Sequence, residues 1–300
     1  ALETQVTTYN QQLAMEAPAG TITTTKGEVL RGQAVDGKEL RGLRAHGQPL
    51  SLVHLVQHGS GTVLGQNEVS EKSNEITAVP ALLAGRDLSN TVLTMDALLT
   101  QRELSQHILE QRGHYLMVVK ENQPALYQAI ALLFEQPPWL PREKAAEYQV
   151  HRTTEKGHGR RETRVLESST TLSAYLDWPG VRQVMRRQRK RVVVKTGEVR
   201  TKTTYGITSL PASDVGAAGL EVLWRGHWTV ENRTHYVLDV TMGEDACQVH
   251  TGQAPQALSL LRKAVLALLR AHGWTNVADG LRYYGTSAHR ALGLIGALHT

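Results

Sequence analysis

The stretch Gly32–Gly42, GQAVDGKELRG, decides how this chain is read. Gln33, Ala34 and Val35 lead into Asp36, Gly37 follows, and then come Lys38, Glu39 and Arg41. Asp-Gly is a common hairpin signal, and on that reading the stretch is a turn. Taken as the end of a buried strand, the same residues deliver a carboxylate to a sheet edge beside a lysine and an arginine, where an acidic substrate or a metal could meet it. The rest of the chain has to choose between the two.

Composition sets the frame. A chain of 300 residues buries a substantial core in one large domain or two coupled ones. A hydrophobic fraction of 41% with 26 glycines excludes wholesale disorder. Phe134 is the single phenylalanine, so Leu, Val, Ile and Ala must build the interior. The net charge of +5 tilts toward a polyanionic partner. Cys247 is the single cysteine, which excludes an intrachain disulfide and a thiolate zinc cluster. No apolar run approaches the roughly 20 residues that span a bilayer, so the expectation is a soluble, cytoplasmic protein with no membrane partner. The opening ALETQVTTYN, without a methionine, reads as a fragment or a processed product.

Along the chain, residues 1–30 give a weak helix and an extended lead-in. From Gly32 to Val69 the pattern is strand-like, with Gly59-Ser60-Gly61 as turn chemistry between two strands. NEITAVPALLAG has helical spacing and stops at Gly85, and TVLTMD is a short apolar strand ending at Asp96. An amphipathic helix, QRELSQHILEQRG, precedes a second buried strand, HYLMVVK, and a further helix ends at Pro137-Pro138. This order predicts an α/β domain with a mixed sheet flanked by helices. Residues 144–210, with HRTTEKGHGRRETRVLESS, the basic run Arg186–Arg191 and a glycine-turned hairpin, read as a β-rich insertion. Helical periodicity returns over 211–272, and 273–300 form a tail. The first core segment is thus 31–143 and the second 211–272.

Asp36 and Asp96 each close an apolar strand on this reading, which is where open α/β sheets place their chemistry. Two carboxylates on neighbouring strands repel unless a cation or a shared proton relieves them, and a divalent metal is the natural relief. Glu231, in WRGHWTVENRTHYVLDV, is the third candidate. On a helix, His227, Glu231 and His235 drift by about 40° per four-residue step and share a face. Val230, Val237 and Leu238 suggest a largely buried helix, in which a carboxylate needs a partner. The spacing also permits His227, Glu231 and His235 as ligands of one zinc ion, although no HExxH pattern is present. Three acids from two strands and a helix in a basic protein suit phosphoryl transfer with two Mg²⁺ or Mn²⁺ ions about 3.5–4 Å apart.

The blocks AVDGKELRG, EKSNEITAVPALL, TVLTMDALLTQ, YLMVVKENQPAL, GHGRRETR, WRGHWTVENRTHYVLDVTMGED and APQALSLLRKAVLALL occur in this order between Gly32 and Leu269. Together they resemble the DDE transposases of bacterial insertion sequences, in the ISAs-type or H-repeat-associated branch. The resemblance implies an RNase H-like core with a β insertion before the last catalytic helix, and DNA as the partner. It also implies two Mg²⁺ or Mn²⁺ ions and a homodimer acting on paired element ends near the nucleoid. Its catalytic acids fall on Asp36, Asp96 and Glu231. Where wider relatives place a Tyr, an Arg and a Lys around the Glu, this chain has Trp224, His227 and Leu238. The resemblance starts after the family's upstream segment, so a catalytic domain without its front end is the expectation. Lys38 and Arg41 are then expected at phosphates, with Lys120, Asn122 and Gln123 lining the same cleft. Arg160, Arg161 and Arg164 form an expected DNA-facing loop, and Arg186, Arg187, Arg189, Lys190 and Arg191 an expected DNA-facing patch. Trp224, Arg225, His227 and His235 are counted as DNA contacts beside the Glu. Glu75 is expected to start a helix, and Asp239, Glu244 and Asp245 to be structural.

Overall fold

Asp36 and Gly37 form neither a turn nor a strand end, because both lie inside one strand, Val29–Ala45. The structure, a computed structural model, describes residues 2–16, 20–45, 48–69, 74–135, 146–249 and 251–297, with backbone alone at 15–16, 41–45 and 48–50. In chain order the elements begin with α1 (Leu2–Glu16), β1 (Thr21–Thr23), β2 (Val29–Ala45), β3 (Gln48–Gln57), β4 (Val63–Glu68), α2 (Glu75–Leu83) and β5 (Thr91–Met95). They continue with α3 (Arg102–Glu110), β6 (His114–Val119), α4 (Pro124–Glu135), β7 (Tyr148–Gly157), β8 (Arg160–Ser169), β9 (Gln183–Val193), β10 (Val199–Thr208) and α5 (Ala217–His227). Two π-helical segments, Val230–His235 and Val237–Thr241, lead to α6 (Ala254–Ala271), α7 (Val277–Gly285) and α8 (Ala288–Leu294). The chain forms two compact units: Ala1–Gly20, Gln33–Ala84 and Trp228–Thr300 make the first, and Thr21–Gly32 with Gly85–His227 the second.

In the first unit β2, β3 and β4 form an antiparallel meander. Asp36 lies directly opposite His54 across β2 and β3. Leu52 to His58 are buried without alternation, the pattern of a strand covered on both faces. The turn after β3 carries Gly59 and Gly61 at positive φ, as their sequence setting predicts. α1 docks on β4 through its side-chain amides: Asn10 donates to the Val63 carbonyl and Gln11 to the Leu64 carbonyl. α2 starts at Glu75, as expected, with Asn74 capping the Thr77 amide. The segment read as a tail carries α7 and α8, whose N-caps are Asn276 and Ser287. Leu238, Leu266, Leu269 and Val277 form the apolar cluster here.

The second unit is a mixed sheet flanked by helices. β5 and β6 are parallel and joined through α3, β6 pairs antiparallel with β10, and β10, β9, β8 and β7 follow in order as antiparallel hairpin strands. All five residues of β5 are buried, as a central parallel strand requires. Adjacent residues of a strand point to opposite faces, and β9 shows what covers each. Arg186 reaches the Phe134 carbonyl of α4, while Arg187 makes two hydrogen bonds to Glu221 of α5. α5 also supplies Leu220, Leu223 and Trp224 to a core with Val92, Leu116, Leu166 and Met185. Gly206 of β10 is required by this packing, since a Cβ there would stand 2.7 Å from the Trp224 ring. Pro137 and Pro138, expected to end α4, lie outside the described residues.

The Arg187–Glu221 pair is buried on both sides, so removing one partner strands a charge. Glu221→Ala is expected to lower stability by about 3–5 kcal/mol, read as a shift of the urea midpoint. The doubly apolar Arg187→Met/Glu221→Leu variant should recover most of that loss.

Candidate active site

In the first unit, three side chains that can bind a metal converge. Asp36 comes from the middle of β2, and Glu231 and His235 from the π-helical segment; one ligand atom from each lies within 4.8 Å of the others. His235 Nδ1 is 3.8 Å from Asp36 Oδ2 and 3.7 Å from Glu231 Oε2. His235 is buried and Glu231 is exposed, so the expectation of a largely buried carboxylate at Glu231 is corrected. Val230 and Leu238 do face the interior, and the helix turns Glu231 away from them. Winding with i→i+5 hydrogen bonds takes more than four residues per turn, which counteracts the α-helical drift between Glu231 and His235 and keeps both at Asp36.

Behind His235 stands His54, fully buried, with its Nδ1 3.2 Å from His235 Nε2. Burial first, and then the charges of Lys263, His235 and Lys38, hold the His54 pKa well below the ordinary imidazole value. A neutral His54 has one N–H, and its hydrogen bond with His235 therefore couples the tautomers of the two rings. Sequence reasoning missed His54; the signal that could have found it is its place opposite Asp36 in the two-strand pairing.

Lys38, expected at a phosphate, is only 7% exposed, and its Nζ lies 2.6 Å from both Asp239 Oδ1 and Glu244 Oε2. Those two acids are thus structural, as their positions suggested, and the ammonium they hold is unavailable to a polyanion. The Arg41 side chain lies outside the described residues. Nearby, Lys263 is buried and its pKa is pushed down to about 7, chiefly by burial.

In the second unit, Asp96 follows β5 immediately, as expected. Its Oδ1 accepts from the Leu98 and Leu99 amides at 3.0 and 3.2 Å, which fixes the carboxylate at the strand end. Because β5 and β6 are parallel, Lys120 emerges at the same sheet edge and is exposed. Asn122 and Gln123 tie that edge together by donating to the carbonyls of Ala97 and Thr100. His227 has its Nδ1 3.1 Å from Thr94 Oγ1, and burial lowers its pKa while Asp96 opposes the shift. Among the described residues His227 is not part of the ligand cluster, which leaves the three-residue zinc site without support.

The arginine-rich residues divide by strand geometry. Arg187 is 9% exposed and Trp224 is buried against Gly206, so neither presents itself to DNA in this structure. Arg186 is held by Glu167, Arg164 by Glu155 and Glu162, and Arg225 by Glu155. Leu238 sits in the apolar core, where a lysine at that offset would be buried. Arg160, Arg161 and Lys190 are exposed, and Arg189 and Arg191 are half-buried. Across β8, β9 and β10 the register aligns Arg164, Arg189 and Lys202 in one row, with Arg191 opposite Arg200. Like charges directly opposed across strands are unfavourable by themselves. Lys202 and Arg200 were not predicted, and neither was the prominence of Trp228, which is 51% exposed three residues before Glu231.

Lys263 provides a test of the polar interior beneath this site. The unfolded lysine keeps its proton up to about pH 10.5, whereas the folded one releases it near 7. Between these values the unfolded chain binds more protons, so this group makes stability rise with pH and fall as pH is lowered. Urea midpoints of the native chain should rise from pH 7.5 to 9.5 relative to those of Lys263→Met, in which that contribution is absent.

A family profile described as "Transposase DDE domain" matches residues 28–268. The chain is 34% identical over 259 residues to "Putative transposase YncI" of Escherichia coli O157:H7, covering 82% of this chain and 63% of the relative. It is 31% identical over 245 residues to "H repeat-associated putative transposase YhhI" of Escherichia coli strain K12, covering 79% of this chain and again 63% of the relative. The chain therefore spans under two thirds of the length of these curated relatives.

Proposed function

We propose, because the chain belongs to the DDE transposase domain family, that it cleaves DNA at the ends of an insertion sequence and joins the freed ends to a target. Asp36, Asp96 and Glu231 are assigned as the catalytic carboxylates. The observation that carries the assignment of Asp36 and Glu231 is their convergence with His235 within 4.8 Å, and Asp96 is assigned from the family resemblance. The parallel β5–β6 pair, continued by antiparallel β10 and the hairpin strands beyond it, supports an RNase H-like core. No helix among the described residues is long and apolar enough to cross a membrane.

The donor set fits a divalent ion. Carboxylate oxygens favour Mg²⁺ or Mn²⁺, and the His235 imidazole adds a nitrogen donor of the kind transition metals accept. When bound by these acids, one or two such ions would lower the pKa of an attacking water and neutralise charge on the scissile phosphate. Asp36 contributes a position fixed by pairing on a continuous strand, and Asp96 one fixed by two backbone amides. Glu231, exposed on its helix, is open to an incoming phosphodiester. Water attacks phosphorus and the 3′ oxygen leaves; the resulting 3′-hydroxyl then attacks a phosphodiester of target DNA, joins to its 5′ side, and the target's 3′ oxygen leaves as a hydroxyl. As in the family resemblance, a dimer on paired ends is the proposed working form.

Purified protein with Mn²⁺ should nick plasmid DNA. Asp36→Asn, Asp96→Asn and Glu231→Gln should each reduce the rate by several kcal/mol of transition-state stabilisation, on the order of a thousandfold. Salt-sensitive DNA binding by the native chain without any nicking would replace this reading with that of a DNA-binding relative.

The opposed Arg189 and Lys202 support the hairpin strands as a phosphate-binding face. Arg189→Ala/Lys202→Ala should weaken binding evenly across DNA sequences. The slope of log K against log salt should become shallower by about 0.9 for each phosphate that is no longer neutralised, measured by fluorescence anisotropy.

A further inference from the structure

We infer that Lys38 is a positioning residue that sets the distance between Asp36 and the segment carrying Glu231 and His235. The inference rests on the reading of Asp36 and Glu231 as metal-holding carboxylates. Asp36, Lys38 and Leu40 are alternate residues of β2 and therefore project from one face. Each meets a successive part of the same stretch of chain. Asp36 meets Glu231 and His235, Lys38 meets Asp239 and Glu244, and Leu40 clusters with Leu52 and Cys247. Strand and segment thus run alongside each other with matched contacts, and Lys38 holds the middle one.

The second carboxylate arrives by a deliberate turn. Gly243 takes φ 65° and the Glu244 amide donates to the Leu238 carbonyl, which folds the chain back and places Glu244 in the interior. Asp239 and Glu244 therefore clamp the ammonium from the helix and from the turn that ends it, at 2.6 Å each. A buried ion triad is poor evidence for stability, since well-packed apolar residues often serve as well. What it supplies instead is register. An apolar contact tolerates sliding along the strand, whereas an ammonium between two carboxylates has one low-energy position. Such a slide would carry Glu231 and His235 away from Asp36, because all six side chains lie on the same two stretches of chain.

The test measures Mn²⁺ affinity by electron paramagnetic resonance of the free and bound ion, with circular dichroism and thermal unfolding to confirm the fold. The native chain should bind Mn²⁺, and Asp36→Asn should abolish binding; if either fails, the metal reading itself is wrong. With that reading intact, Lys38→Met should weaken Mn²⁺ binding about tenfold or more, the range seen when groups supporting metal ligands are removed, and should broaden the bound-ion spectrum. Because Lys38→Met leaves the two carboxylates without its ammonium, Lys38→Met/Asp239→Asn/Glu244→Gln serves as the variant in which these three positions carry no charge, and it should show the same weakening while melting cooperatively. Native affinity and spectrum in either folded variant would overturn the proposal. Failure of the neutral variant to fold would overturn it too, because the ionic link would then be holding the fold rather than the site.

Discussion

The ammonium of Lys38 lies in the interior of its unit only because two carboxylates meet it there. Isolated, it would face a desolvation cost that the rest of that core could not offset. Its position two residues from Asp36 on the same strand face makes this compensation more than local. The strand that presents a candidate catalytic carboxylate is the strand held by the ion triad, and the helix that presents the second carboxylate supplies one of the partners. The counter-charge of the buried ammonium and the geometry at the edge of the unit are thus supplied by the same contacts.

A different constraint governs Asp96. Its carboxylate is held by two backbone amides directly after a fully buried parallel strand, and side-chain amides from the next strand's loop fasten the surrounding turn. No long-range ion pair is needed, because parallel pairing already brings the ends of β5 and β6 to one edge. One acid is therefore positioned by sheet topology and local hydrogen bonds. The other two depend on contacts between residues about 200 positions apart.

This difference explains what could be read from the sequence. The strands and helices around Asp96 were legible because apolar runs, amphipathic spacing and glycine stops are local signals. The same was true of the glycine-turned hairpins. Asp36 was misplaced at a strand end because Asp-Gly is a turn signal. Gly37 instead continues the strand, with the flexible end of the Glu75 side chain lying over it. Arg186–Arg191 looked like one basic patch because a linear run hides alternation. Strand geometry sends Arg186 and Arg187 to opposite faces, and their partners Glu167 and Glu221 are distant in sequence. Lys38 was misread for the same reason, with Glu244 more than 200 residues away.

The π-helical winding could not have been found from a 3.6-residue period, and it runs through the candidate site. In a regular α-helix, Glu231, His235 and Asp239 would rotate by about 40° at each step, so Asp239 would stand about 80° from Glu231. Asp36 and Lys38 project from one face of a strand, and they require partners that stay on one side of the facing helix. More than four residues per turn reduces the rotation that separates those partners. The irregular segment thus matches a helix to the two-residue period of a strand. That match lets one stretch of chain supply both the ligand cluster at Asp36 and the counter-charge at Lys38.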